Sequence, residues 1–338
     1  VIWIAWRYQR SITYTLALLA LIIIGFTVAT GTIQHHDLVE YMSAPCRGNQ
    51  LAGQGDYCGL LNVKYSHAQE FDTYVRVAGF LIAPLVGALL GLLAMANEVD
   101  HRTVRLAWTQ SISRTRWFVA KAGVGAASVV AILVPTAIVL SWWNGEIRNS
   151  DIFSSQTFGI AGWDLVAYGL FMFALTLLLG VVIRRTGWAL AAAIVLFLVV
   201  AISVPTRLGE HLVSPTIQWS APYSSLNKAP SEDPFPSNAW LLVNGIAPRS
   251  TTGTPTWNDV LLGETEVSTC MSSYPTETPS DRVNAQNECY RKLDFAFVTV
   301  YIGPDEFWTL QLREGLLYLV SGLILTAGAW AFVRRIEP

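Results

Sequence analysis

The sequence predicts an all-α polytopic membrane protein: six transmembrane helices, with a small mixed α/β extracytoplasmic subdomain between helices five and six. Three observations carry this reading. Of 338 residues, 14% are charged and 52% hydrophobic, and the mean hydropathy is +0.41. A soluble domain carries roughly a quarter charged residues, so this chain lacks the charges to cover a water-facing surface. Six stretches without a charged side chain are each about 20 residues long, which suits a hydrocarbon core of roughly 30 Å. Finally, basic residues gather in the connections on one side of those stretches. The net charge of −2 gives no general attraction for polyanions, which argues against nucleic acid as a partner and leaves membrane lipid as the surroundings.

The opening Val1–Gln9 is apolar and aromatic with a single Arg. It is too short to span, needs no removal as a signal peptide, and is expected along the inner interface within a segment 1–11. The spans then run Ile12–Thr30, Val77–Asn97, Ala122–Trp142, Leu165–Ile183, Gly187–Thr206 and Gly315–Val333. A mid-bilayer charge costs about 2.5–3.5 kcal/mol on insertion scales, so such windows seldom arise by accident. They must be helices, because each backbone amide has to bond within its own segment. Pro84 and Pro135 fall inside spans, where membrane helices tolerate them.

Orientation follows from the short connections. Arg7 and Arg10 precede span one; Arg102, Arg105, Arg114, Arg116 and Lys121 lie between spans two and three; Arg184-Arg185 joins spans four and five; Arg334-Arg335 follows span six. With six passes these regions share one face, and their charge marks it as cytoplasmic. Both termini are therefore expected inside a multi-pass protein of the cell membrane. Of 24 acidic residues, only Glu98, Asp100 and Glu337 fall on that face. Trp117, Trp142, Trp143, Trp163, Trp188, Trp308 and Trp330 lie at or near span ends, as expected of a headgroup-level belt.

Cys46, Cys58, Cys270 and Cys289 all fall on the opposite, oxidising face. Pairing within each loop, Cys46 with Cys58 and Cys270 with Cys289, is the expected one of three connectivities, since short loops close cheaply. A metal site using His35, His36, His67 or His211 is the rival, but neither CxxC nor HxxxH spacing occurs. The segment 207–314 holds ten of the fifteen prolines and is long enough for a small folded subdomain. Trp240–Val243 and Phe295–Ile302 read as strands, and Pro304-Asp305-Glu306 as a helix start. Phe307–Leu312 is expected along the outer interface before span six, which occupies 315–338 with the C-terminal tail.

Much chemistry is missing. The sequence has no GxxxxGK[ST], HExxH, GxSxG or CxxC. The six windows hold no acidic residue or histidine, so a proton-coupled carrier or intramembrane protease has no candidate residues; Asp164 is placed just outside span four. Thr13, Thr15, Thr27 and Ser203 are the polar positions that could line a path or bond helix to helix. Gly87-x-x-x-Gly91 would permit close helix approach, within one chain or between two.

The informative segment is the inner loop 98–117. Val104, Ala107, Trp108 and Ser111 share one helical face and Arg102, Arg105 and Thr109 another, so an amphipathic helix could lie there, with Ser113 capping span three. Such a helix is either a lever for a partner or a positive-inside anchor. The string Glu98-x-x-x-Arg102-Thr103…Arg105-Leu106-Ala107-Trp108-Thr109-Gln110-Ser111…Ser113-Arg114-Thr115-Arg116-Trp117…Lys121 resembles the inner loop of type-2 ABC exporter permeases, in particular their actinobacterial branch. Arg102 stands where that branch usually has Gly. The run Phe307-Trp308…Gln311…Glu314-Gly315 is similar to that branch's opening of its last helix, and Trp6-Arg7…Arg10 to its N-terminal interface helix.

The resemblance implies a transporter subunit rather than an enzyme, forming half of a path for a hydrophobic or amphipathic substrate such as a drug, lipid or peptide. Its partners would be a separate ABC ATP-binding subunit, which holds ATP and Mg, and a second permease half, identical or not. Glu98, Arg102, Thr103, Arg105, Trp108, Arg114 and Arg116 would couple to the ATPase; this chain itself would hold no cofactor. Two other readings stand beside it: a membrane sensor or immunity protein whose outer subdomain binds a ligand, and a membrane enzyme using His35, His36, Asp37 and Glu40.

Overall fold

The computed structural model describes residues 2–43, 55–96, 113–147, 153, 158–160, 162–204, 209–220, 236, 238–251, 253–274 and 279–335. In chain order its helices begin with α1 (Ile2–Ser43), α2 (Gly55–Gly91, continued by a π-helical turn Leu92–Ala96), α3 (Arg114–Ile147), α4 (Gly162–Ile183) and α5 (Thr186–Ser203). There follow β1 (Thr216–Ser220), β2 (Trp240–Pro248), α6 (Trp257–Met271), α7 (Pro279–Lys292), β3 (Phe295–Ile302) and α8 (Phe307–Arg335). The chain divides into two compact units. One comprises 1–149, 154–206 and 311–338; the other comprises 150–153 and 207–310.

The first unit is a helical bundle. Helices α1 to α5 and α8 each contain a segment long and apolar enough to cross a membrane. They extend past the charge-free windows, because a helix need not stop where hydrocarbon ends. α1 in particular carries 1–11 and the first span as one helix from Ile2, without a break at Gln9. Pro84 and Pro135 lie inside α2 and α3. Ser113 caps α3: its Oγ accepts from the amide of Arg116 at 3.3 Å.

α4 is the most buried of the spans and α5 among the least. Leu133 and Leu140 of α3, Ile82 and Leu90 of α2, and Met172 and Leu177 of α4 are fully buried in one apolar core. Small residues set the closest approach. A Cβ added at Gly87 would strike the carbonyl oxygen of Gly169 in α4, and one at Gly91 would strike Oγ1 of Thr176 and the Phe173 carbonyl. The GxxxG motif of α2 therefore packs backbone-to-backbone on α4 of the same chain.

The tryptophans expected at the span ends divide by burial. Trp142, Trp163, Trp188 and Trp308 are exposed, whereas Trp117 and Trp143 are buried in the helical core. The latter two pack helices instead of facing headgroups. The span threonines turn inward on their own helices: Thr13, Thr15 and Thr27 donate to the carbonyls of Gln9, Ser11 and Ile23, four residues back.

The second unit is an antiparallel sheet in the order β1-β3-β2 with helices packed on it. β2 and β3 contain the two expected strand segments; β1 was not expected, because its mostly exposed side chains give no apolar alternation. Val243, Ala247, Val298 and Val300 form the inner face of the sheet. α6 lies close over β2: Val260 occupies the space that a side chain at Gly245 would take, and Gly263 sits against the Ile246 carbonyl. Thr256 and Asp259 close a reciprocal capping box at the start of α6. A disulfide joins Cys270 at the end of α6 to Cys289 in α7, beside Val267, Tyr290 and Phe295. Cys46 and the side chain of Cys58 lie outside the described residues.

Pro304–Glu306 is a 3-10 turn that leads into α8. Here the structure corrects the expectation: Phe307–Leu312 continues in one helix with the sixth span through Arg335, with no turn at Gly315. No helix breaker intervenes, and leucines and aromatics are good enough helix formers to carry the span back by two turns.

Candidate functional site

Of the residues expected to couple the chain to a partner, Glu98, Arg102, Thr103, Arg105 and Trp108 fall outside the described residues, and so does the amphipathic pattern of that loop. Arg114 and Arg116 are described. Arg114 Nη1 donates to the Arg334 carbonyl at 3.2 Å, tying the start of α3 to the end of α8. Arg116 is exposed. Lys121 is 4% exposed, its Nζ lying 4.8 Å from the Tyr8 ring and 5.1 Å from the Trp117 ring. Its charge is thus held between aromatic faces of α1 and α3. Arg7 over Trp3 and Arg334 over Trp330 repeat the arrangement.

α2 finishes in a π-helical turn whose Leu92 packs on Ala189 of α5, and α3 begins at Arg114. Because α2 meets α4 through bare backbone at Gly87 and Gly91, the three helices form a tightly registered block. A π-turn widens the helix locally and marks a place where its register can shift.

A second constellation stands at the opposite end of the bundle, and sequence reasoning missed it. Asp164 and Tyr168 are one turn apart on α4; Gln311, Glu314 and Tyr318 share one face of α8. Asp164 and Gln311 are 0% exposed, Glu314 1%, Tyr318 2% and Tyr168 5%. Tyr168 Oη donates to Glu314 Oε1 at 2.9 Å. The rings of Tyr168 and Tyr318 meet edge-to-face at 4.6 Å, with Phe171 5.5 Å from Tyr318 and Phe197 6.3 Å from Tyr168. Gln311 Nε2 donates to the Phe158 carbonyl at 3.0 Å.

Asp164 lies close against α8, since a Cβ at Gly315 would come within 3.1 Å of its Oδ1. It occupies the first turn of α4, where the helix dipole favours negative charge. Among the described residues, neither of its oxygens has a hydrogen-bond partner. The expectation that the spans hold no acidic residue is therefore corrected. The charge-free windows began at Leu165 and Gly315, one residue past each carboxylate, and so excluded both by construction. The recoverable signal was the polar face Gln311–Glu314–Tyr318 opposite Asp164–Tyr168.

Six helices long and apolar enough to cross a membrane, around a glycine-packed core, are those of a multi-pass membrane protein. Residues 16–208 match the family described as ABC-2 membrane transporter related. That is more than half of the chain, and the protein belongs to this family, as an ABC-2 type permease. Membership makes it a transporter subunit and implies an ABC-type ATP-binding partner in general terms. No curated protein matches the chain, and no solved structure does. The match takes in α1 to α5 and Asp164; the α/β unit and α8 with Glu314 lie beyond it.

Proposed function

We propose that this chain is the permease half of an ATP-driven exporter, of the actinobacterial branch, that moves a hydrophobic or amphipathic substrate such as a drug, lipid or peptide. In this reading both termini are cytoplasmic, the α/β unit is extracytoplasmic with its cysteines paired, and two halves, identical or not, enclose one path. ATP and Mg reside on a separate ATP-binding subunit that grips the loop 98–117.

The observation that supports this most is the backbone contact of α2 with α4 at Gly87 and Gly91. Displacing the loop would carry the end of α2 and the start of α3 together. Because the two helices approach most closely through backbone, at Gly87 against the Gly169 carbonyl and at Gly91 against the Phe173 carbonyl, the motion would pass to α4. Glu98 and Arg105 would make the polar contacts to the ATPase groove, while Arg114, tied to α8, would spread the displacement to the last span. The pathway would then alternate between inner-leaflet and outer access.

The test uses the full complex. Co-purification with the ATP-binding protein encoded beside it, followed by nucleotide-dependent transport in vesicles, should succeed. Glu98→Ala or Arg105→Ala should lower substrate-stimulated ATP hydrolysis while leaving the permease folded. Unaltered stimulation in both variants would remove the lever.

A further inference from the structure

We propose that Asp164 and Glu314, with the rings of Tyr168 and Tyr318, form the binding site for the ammonium head group of a cationic amphipathic substrate. The proposal rests on the transport reading for its purpose and on the bundle's geometry for its chemistry. Two carboxyl groups are buried side by side at one end of α4 and α8, and among the described residues neither is paired with Lys, Arg or His. Only one of their oxygens receives a donated hydrogen bond that the geometry defines, from Tyr168. A carboxyl group at such depth is stable as an anion only with positive charge nearby. The Tyr318 hydroxyl adds a further buried polar atom, one turn beyond Glu314 on the same face.

The surroundings select the kind of cation. Ca and Mg require six or more oxygen ligands or an ordered water shell, and no cluster of three His, Cys, Asp or Glu side chains among the described residues could hold a metal. An alkylammonium instead takes its attraction from one or two carboxylates and from aromatic faces, and Tyr168, Tyr318, Phe171 and Phe197 stand in mutual contact here. Further along the same seam glycines of α8 face apolar residues of α4: Gly322 against Ala174 and Phe171, then Gly328 against Leu178. A tail leaving a head group at the carboxylates would therefore run between α4 and α8. The site is closed in this structure, so loading requires the two helices to part.

The experiment measures binding to the purified full chain in phosphatidylcholine nanodiscs, without the ATPase. Tritiated dodecyltrimethylammonium is the probe, with empty discs subtracted and neutral octaethylene glycol monododecyl ether as competitor. Saturable binding is expected; the neutral amphiphile and excess potassium chloride should leave it in place. Asp164→Asn and Glu314→Gln should each weaken it by at least about tenfold, as loss of a buried charge partner does. Tyr318→Phe, which keeps the ring, should weaken it less than either; Tyr318→Leu, which removes the ring, should weaken it more and covers the case of a carboxamide variant that does not fold. No saturable binding, equal competition by the neutral amphiphile, or displacement by potassium would overturn the proposal. So would carboxamide variants that bind like the wild type. Because ATP hydrolysis is not read, a failure of Glu98 coupling and a failure of this site are separate results.

Discussion

Replacing Gly87 by Ala tests the helix packing on which the transmission argument depends. The added methyl would land on the Gly169 carbonyl and lie 2.9 Å from the Phe173 amide nitrogen. Both obstacles are backbone, so no rotamer change can clear them and α2 must move off α4. Overpacking of this kind costs about 1–3 kcal/mol, and a backbone obstacle places it near 3 kcal/mol. Ala is itself better than Gly inside a helix by about 0.5–1 kcal/mol, so the net loss is about 2 kcal/mol. Gly123 of α3 supplies the control, because nothing lies within 4 Å of a Cβ built there. Gly123→Ala should gain up to about 1 kcal/mol, which sets the two variants about 3 kcal/mol apart. Unfolding of the purified chain by dodecyl sulfate titration, followed by tryptophan fluorescence, reads the difference. If Gly87→Ala proves as stable as Gly123→Ala, α2 does not touch α4 there. If its destabilisation comes only with a change in oligomeric mass, the glycine face belongs to a second copy and the internal lever loses its hinge.

Tyr168→Phe removes the hydroxyl that donates to Glu314 and should cost about 1–3 kcal/mol in the same titration, the range for leaving a buried acceptor without its donor. Breaking the Cys270–Cys289 bond, which closes a separation of 19 residues, should destabilise the α/β unit by about 3 kcal/mol on loop entropy alone; Cys270→Ala/Cys289→Ala melting of the full chain checks it. Thr256→Ala removes half of the α6 capping box and should cost about 1 kcal/mol. The Asp259 carboxyl is held below its ordinary value by the Thr256 side chain and backbone. Its contribution is therefore complete above the ordinary carboxylate range and fades as pH falls through the lowered value. The wild type and Thr256→Ala melting curves of the α/β unit should accordingly converge on acidification, and a gap that stays constant to pH 2 would remove Asp259 from the box.

Charge was the most legible property of this sequence, and it revealed the passes well. One uncompensated charge at mid-bilayer outweighs most local propensities, so the six windows coincide with six spanning helices. The strands of the α/β unit were legible where β-branched and aromatic residues repeat, as in Phe295–Ile302, and illegible in Thr216–Ser220, an edge whose side chains mostly face outward. Tryptophan was ambiguous by nature. Its ring suits both the headgroup layer and a helix contact, and position in sequence could not separate exposed Trp142 from buried Trp143 beside it. GxxxG told of close approach but not of its partner, since any smooth backbone face will serve; Gly169 and Thr176 of α4 turned out to supply it.

The carboxylates show why reading spans by absence of charge conceals chemistry. An acidic residue near a window's edge is assigned to water, because in isolation it would need water. Asp164 and Glu314 instead face each other's helices, and the question that matters is whether a second helix brings a polar group to the same depth. No window taken one span at a time can answer that. The answer lies in spacing: Asp164 and Tyr168 four apart, Gln311, Glu314 and Tyr318 at three and four, each set a single stripe on an otherwise apolar helix. Two such stripes in different spans find polar partners at that depth by packing against one another, as Tyr168 does with Glu314. A bundle that kept this seam merely for stability would do better with leucine there, because replacing buried charge by packed hydrocarbon is often neutral or stabilising. Two carboxyl groups at that depth are what the proposed ammonium site needs and what a leucine seam would abolish.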